Sequence, residues 1–335
     1  MINGYRVVEM QHHFIPSGAL AFMGKTREHD YTFGLNRYKA VYDLMGDVEV
    51  HLEFMDKSGI DVAVLSTGGF TPNGFDFCKA CNDGYGEVVR QYPDRFKGMI
   101  HIYPFDGHRN NDEVKRSVEE LGLWGLALAS SYGLDHETTA DSAVLDPIYE
   151  MALRYGMPVY VHPPIRKDLW GGQRYDLFTT MSREYDTVKA FVEIIYGVLP
   201  RFPELKVVMA HLGGGLPALK GRLLAWHQPP DFPIKDRGFG RAIDEARELG
   251  LVNDFERLCS NMLFDSAGYG GWLPVIRYAF ETLGPQHICF GTDYPYELNK
   301  SDYTRNVIRD LTRLDVGEED KRAFLSENLL RFFSV

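Results

Sequence analysis

Val207-Val208-Met209-Ala210-His211-Leu212-Gly213-Gly214-Gly215-Leu216-Pro217 is an apolar run that stops at a histidine and passes into three glycines and a proline. Because the run is continuous rather than alternating, it reads as a strand buried on both faces. The glycines allow a sharp turn and leave His211 at the strand's carboxyl end. Parallel α/β proteins keep their chemistry at that end. The pattern recurs twice. Met157-Pro158-Val159-Tyr160-Val161 runs into His162 and Pro163-Pro164, and His287-Ile288-Cys289-Phe290 runs into Gly291-Thr292-Asp293-Tyr294-Pro295. One such case fits a packed core histidine or a capping aspartate; three in one chain point to a shared site.

Working outward, Tyr5 to Met10 reads as a first strand leading into Gln11-His12-His13. Strict alternation puts Glu9, Gln11 and His13 on one face and His12 on the other. Further strands are expected at 60–66, 95–102, 125–129 and 261–265. Helices are expected over 48–58, 76–92, 112–121, 146–155, 183–199 and 273–283, with a helical tail over 302–311 and 318–333. Eight strands alternating with helices make a single (β/α)8 barrel the economical α/β architecture. It would form one domain over 1–335, with an excursion at about 17–46 and a helical insertion at about 219–257.

The 335 residues are 44% hydrophobic and 25% charged, an ordinary globular balance. A net charge of −11 argues against nucleic acid and anionic membrane surfaces as partners. Apolar runs stay well short of the roughly 20 residues that span a bilayer. Met1 to Arg6 lacks a charged region followed by an apolar one, so a cytoplasmic location is expected. Cys78-Lys79-Ala80-Cys81 matches C-x-x-C, but it falls inside a helical stretch with no second pair to complete a zinc site.

On a barrel, the ends of the first, fifth and eighth strands converge on one mouth. His13, His162 and Asp293 would meet there, and His211 would face the same space. Imidazole nitrogen with carboxylate oxygen suits zinc or manganese, and three protein ligands leave a position open for water or substrate.

The chain resembles the amidohydrolase superfamily, in the branch of aminocarboxymuconate semialdehyde and hydroxybenzoate-type decarboxylases such as those acting on γ-resorcylate and 5-carboxyvanillate. The resemblance rests on Gln11-His12-His13-Phe14-Ile15-Pro16, the stretch from Met55 to Ser66, Tyr92-Pro93-Asp94-Arg95-Phe96 and Tyr160-Val161-His162-Pro163. To these it adds His211 to Pro217 with Gly221-Arg222, and Gly291 to Pro295. It implies a metal held by His13, His162 and Asp293, with His211 and Asp293 in acid/base roles. It also implies that Arg222 reaches a neighbouring subunit's pocket to hold a carboxylate, so a homodimer or homotetramer is expected.

Two positions depart from the family pattern. Gln11 stands where the family has a histidine or glutamate ligand; its amide could ligate weakly, act through water or touch only substrate. His51 and Glu53 stand where the muconate-type enzyme has arginines, so one carboxylate clamp is missing and His51 becomes a candidate substrate contact. His101 ends the third strand, Asp265 the seventh, and Glu297 follows the Asp293 turn; each is a candidate wall of the pocket. Arg166, with Lys167, Trp170 and Arg174, follows the His162 strand and is a candidate for binding an anionic aromatic substrate.

The expected activity is metal-dependent, non-oxidative decarboxylation of a hydroxylated aromatic or conjugated carboxylic acid. The rival is hydrolysis of an amide, lactone or carbon–carbon bond at the same site. A metal-free binding protein is the third reading, and Gln11 is its only support.

Overall fold

The computed structural model describes residues 1–26, 31–33, 36–38, 41–133, 137–164, 174–227, 255–269 and 271–333. Most of the helical insertion expected at 219–257, and Arg166 with Lys167 and Trp170, lie outside the described residues.

The chain forms a (β/α)8 barrel. Its strands are β1 (Val8–His13), β2 (Val62–Ser66), β3 (Phe96–Gly98 and Ile100–His101), β4 (Leu126–Ala129), β5 (Val159–His162), β6 (Val207–Met209), β7 (Met262–Asp265) and β8 (Ile288–Cys289 and Gly291–Tyr294). Neighbouring strands pair in parallel as two sheets, and β3 and β8 each contribute one half to either sheet. The ladder therefore runs round the barrel but is interrupted at Met99 and Phe290 rather than closed. After the successive strands come helices α1 (Val48–Ser58), α2 (Phe75–Gln91), α3 (His108–Glu119), α4 (Asp146–Tyr155), α5 (Arg183–Glu193), α6 (His211–His227), α7 (Leu273–Leu283) and α8 (Ser301–Leu311).

The unbroken apolar strands have a simple cause. Val8, Met10, Val62, Val64, Ala127, Tyr160, Val208 and Leu263 pack into the barrel interior. Their neighbours Val7, Ala63, Leu65, Leu128, Val159, Val161, Val207 and Met209 pack outward against the helices. Both faces are dry, so alternation vanishes from the sequence. The interior core also takes in Leu329, Phe332 and Phe333 from the tail helix Asn328–Phe333. Phe333 lies beside Gly125, just before β4, so the tail seals the amino end of the barrel and the chemistry is left to the other end.

The excursion at 17–46 holds short helices (Ser17–Leu20 and Val41–Gly46) around a hairpin of Tyr31–Phe33 with Asn36–Tyr38. Three-residue strands are too short to print a period on the sequence. The helix expected over 183–199 is α5 followed by a π-helical turn, Ile194–Val198. Cys78 and Cys81 are free, buried on α2, and burial pushes both thiols up, which suits packing rather than redox chemistry. Among the described residues, no helix is long and apolar enough to cross a membrane.

If Phe332 is part of the barrel's plug, Phe332→Ala should cost about 3 kcal/mol in denaturant unfolding. A loss below about 1 kcal/mol would mean that the tail only lies against the barrel.

Candidate active site

β1, β5 and β8 bring His13, His162 and Asp293 to one point. One ligand atom from each lies within 4.8 Å of the others, and all three residues are buried. His13 Nε2 is 2.7 Å from Asp293 Oδ1. The His162 Nδ1–H donates to the Pro163 carbonyl at 2.8 Å, which leaves the Nε2 lone pair facing the cluster. Burial, reinforced by the positive charge of Arg183, holds the His162 imidazole well below its ordinary value, so it is neutral. Burial alone would raise Asp293. The hydrogen bond from His13, with the charges of His13, His211 and Arg183, keeps it below the usual carboxylate range instead.

Gln11 sits among these groups. Its Nε2 lies 2.9 Å from Asp293 Oδ1, 2.9 Å from His211 Nε2 and 3.2 Å from His162 Nε2. Its Oε1, like His13 Nδ1, is buried without a hydrogen-bond partner. Two imidazoles and a carboxylate make a donor set that fits a zinc- or manganese-type divalent ion, and the group Gln11 turns toward them is its NH2 rather than its oxygen.

The backbone explains how Gln11 arrives there. Val8 and Met10 face the interior, so strict alternation would turn Gln11 outward. Instead Gln11 adopts a left-handed conformation (φ 63°), and the pairing of β1 slips between Met10 and His12. The bulge separates Glu9 from the face of Gln11 and His13, contrary to simple alternation. Glu9 Oε1 instead meets His12 Nδ1 at 2.5 Å. His12 Nε2 meets His51 Nδ1 at 2.7 Å, and the His51 Nε2–H donates to the Leu44 carbonyl at 2.8 Å. Burial raises the Glu9 carboxyl to about 8 and lowers His12 to about 3, so this chain is neutral. His51 thus lies outside the cleft, tying α1 to the back of β1.

The cluster opens on a cleft of about 640 Å³, counting its open mouth. His211, Thr67, Thr179, Arg183, Glu184, Tyr296 and Glu297 line it with the ligand cluster. His211 Nδ1 is 2.7 Å from Glu184 Oε1. Burial disfavours the imidazolium, but the Glu184 carboxylate outweighs it and raises His211 to about 9. Asp265 does not line the cleft. It receives the backbone N–H groups of His211 at 3.4 Å and Ala267 at 3.0 Å, and its burial raises it to about 7.

His101 is fully buried and spent on the backbone: Nε2 accepts the Thr67 N–H at 3.0 Å, and Nδ1 lies 3.3 Å from the Met99 carbonyl. It does not line the cleft. Arg222 is exposed on α6 and is not among the residues lining this chain's own cleft. Glu297 does line it.

Arg183 and Glu184 were not singled out from the sequence, where they look like the solvated first turn of a helix. The available signal was position, since they open the helix that follows the His162 strand, and βα connections carry a barrel's sites.

A barrel whose strand ends carry a buried His/His/Asp cluster beside a further histidine is the framework of a metal-centred barrel enzyme. The chain belongs to the amidohydrolase family, whose profile matches residues 8–335. It is 26% identical over 299 residues to 2-amino-3-carboxymuconate-6-semialdehyde decarboxylase of Dictyostelium discoideum, covering 86% of this chain and 77% of that protein. It is also 26% identical to γ-resorcylate decarboxylase of Rhodococcus jostii, covering 74% and 77% of the two chains. A crystal structure of 5-carboxyvanillate decarboxylase from Novosphingobium aromaticivorans, with manganese and 4-hydroxy-3-methoxy-5-nitrobenzoic acid, shares the fold. Its TM-score is 0.79 at 22% identity, over 99% of this chain and 97% of that one.

Gly68 (φ 56°) presses against the His13 ring: a Cβ there would fall 2.2 Å from Cε1. Gly68→Ala should therefore shift His13 and weaken manganese binding about tenfold or more in competition titration. Unchanged affinity would remove His13 from the ligand set.

Proposed function

We propose that this chain is a divalent-metal-dependent, non-oxidative decarboxylase of a hydroxylated aromatic carboxylic acid. The observation that carries the reading is the convergence of His13, His162 and Asp293 beside His211 at the mouth of a cleft. Membership of the amidohydrolase family and the decarboxylases among its relatives support it.

In this reading His13, His162 and Asp293 hold manganese or zinc, and Gln11 would join them as a weak neutral ligand by turning its amide oxygen to the place its NH2 now takes. When bound, the ion supplies Lewis-acid polarisation of the substrate's carboxylate and the adjacent hydroxyl oxygen. Glu184 anchors His211 through Nδ1, which turns Nε2 toward the substrate. His211 then delivers a proton to the ring carbon that bears the carboxylate. The bond to the carboxylate carbon breaks, its electron pair restores the aromatic ring, and carbon dioxide leaves. Asp293 fixes His13 and shares the charge at the cluster. Glu297, in the turn that follows Asp293, accepts a hydrogen bond from a ring hydroxyl. An oligomer would bring the exposed Arg222 of one copy to the cleft of another.

Hydrolysis at the same cluster makes a different mark on the product. Manganese-loaded protein, given a panel of hydroxylated benzoic acids in oxygen-18 water, should release carbon dioxide and yield an organic product free of the label. Label in the organic product, or no carbon dioxide from any member of the panel, contradicts the proposal.

A further inference from the structure

His13 lacks the support that a metal-binding histidine ordinarily has. Such a ring usually donates its second N–H to a carboxylate or carbonyl, which fixes its orientation. His162 does so through the Pro163 carbonyl. His13 Nδ1 is buried and has no hydrogen-bond partner. Asp293 holds the ring at Nε2, and a surface bounds it on one side. That surface is Gly68, so close that a Cβ there would fall 2.2 Å from His13 Cε1 and 2.6 Å from Nδ1. The ring keeps its place only while the Gly68 backbone keeps its own.

Gly68 opens the short turn Gly68–Phe70 after β2 in a left-handed conformation (φ 56°). Its N–H donates to Ser66 Oγ at 3.3 Å, and the Thr71 hydroxyl donates to its carbonyl at 3.0 Å. These local bonds shape the turn. The bond that ties it to the end of β3 runs from the Thr67 N–H to His101 Nε2, at 3.0 Å. An amide N–H only donates, so Nε2 carries its lone pair and Nδ1 the proton, which faces the Met99 carbonyl at 3.3 Å. Burial keeps this imidazole neutral, pushing it down to about 3.

His101 is in turn held from behind. The Asn82 side chain on α2 accepts the His101 N–H at 2.8 Å and donates to the His101 carbonyl at 3.0 Å. It also donates to Glu113 on α3 at 2.8 Å, and Arg116 grips that carboxylate at 2.7 and 2.9 Å. Asn82, His101 and Glu113 are all buried. A satisfied polar network of this kind is rigid, and it runs from α3 through α2 and β3 to the turn that bears on His13. Nothing in the decarboxylation step uses it.

The geometry points to His101 as a positioning residue for the metal centre: by accepting the Thr67 N–H it holds the Thr67–Gly68 backbone against the His13 ring, and so sets how tightly His13 binds the ion. The inference rests on His13 being a metal ligand, as in the proposed function, and is independent of the reaction that the ion serves.

Manganese binding, followed through the electron paramagnetic resonance signal of the free ion, tests this on wild type, His101→Leu and His101→Gln. Leucine cannot accept the N–H, so His101→Leu should bind manganese about tenfold or more weakly. Glutamine has the reach of the imidazole and offers Oε1 as acceptor, so His101→Gln should recover most of the affinity. Phe332→Ala, at the plugged end of the barrel, controls for general destabilisation and should bind as wild type does. His101→Leu that binds as tightly as wild type overturns the proposal. So does a loss that His101→Gln fails to recover or that Phe332→Ala shares. Wild type gives a second answer whether or not any variant folds. With its histidines labelled with nitrogen-15, His101 Nε2 should resonate as a bare ring nitrogen and Nδ1 as a protonated one; a proton on Nε2 overturns the proposal. Wild type that binds no manganese would instead defeat the metal-centred reading on which the inference stands.

Discussion

The Asp293 carboxylate is the point on which the site depends. It is buried at the end of β8, takes the His13 Nε2 contact at 2.7 Å and receives the Gln11 amide at 2.9 Å. A carboxylate in such a place is costly unless it is paired and hydrogen-bonded. Here groups from the first barrel strand supply that pairing to a carboxylate on the last, with the positive charges of His211 and Arg183 nearby. The same carboxylate therefore ties the two ends of the chain together and fixes the ligand cluster. Removing it would leave two buried imidazoles and an amide with no common partner.

The backbone carries strain at the places where chemistry is done. Gln11, His211 and Asp293 all sit in left-handed conformations, at φ 63°, 54° and 53°. For residues with a Cβ, each such conformation costs on the order of 1–3 kcal/mol and persists only when the surroundings impose it. Each lies in or just past the carboxyl-terminal half of a barrel strand, and at Gln11 the left-handed turn coincides with the slip in the pairing of β1. The parallel ladder below and the buried aliphatic layers inside the barrel hold the strand ends rigid enough for that.

Much of this was legible in the sequence, because strands buried on both faces leave continuous apolar runs whose abrupt polar ends are conspicuous. His162, His211 and Asp293 stand out that way, whereas His13 follows a strand that carries Arg6 and Glu9 and is picked out by the convergence of strand ends and by the family resemblance. The facing of Gln11 was also expected, but for the wrong reason: alternation would have turned it outward, and a bulge turned it in. His51 and His101 illustrate the limit. Nothing in a linear pattern says whether a histidine faces the mouth or is consumed by a neighbouring carbonyl or N–H, as both of these are. Arg183 and Glu184 were hidden for the opposite reason. Charged residues at a helix start look solvated, and only the glycine-permitted approach of α5 to the His211 strand end shows that they face inward.

The central claim is that one divalent ion is shared by residues from the beginning, middle and end of the chain. Diffraction from manganese-loaded crystals, measured on both sides of the manganese absorption edge, locates that ion without reference to any assay. The account predicts a single strong anomalous peak in bonding contact with His13, His162 and Asp293. A map with no peak there, or with its manganese elsewhere in the barrel, would contradict it.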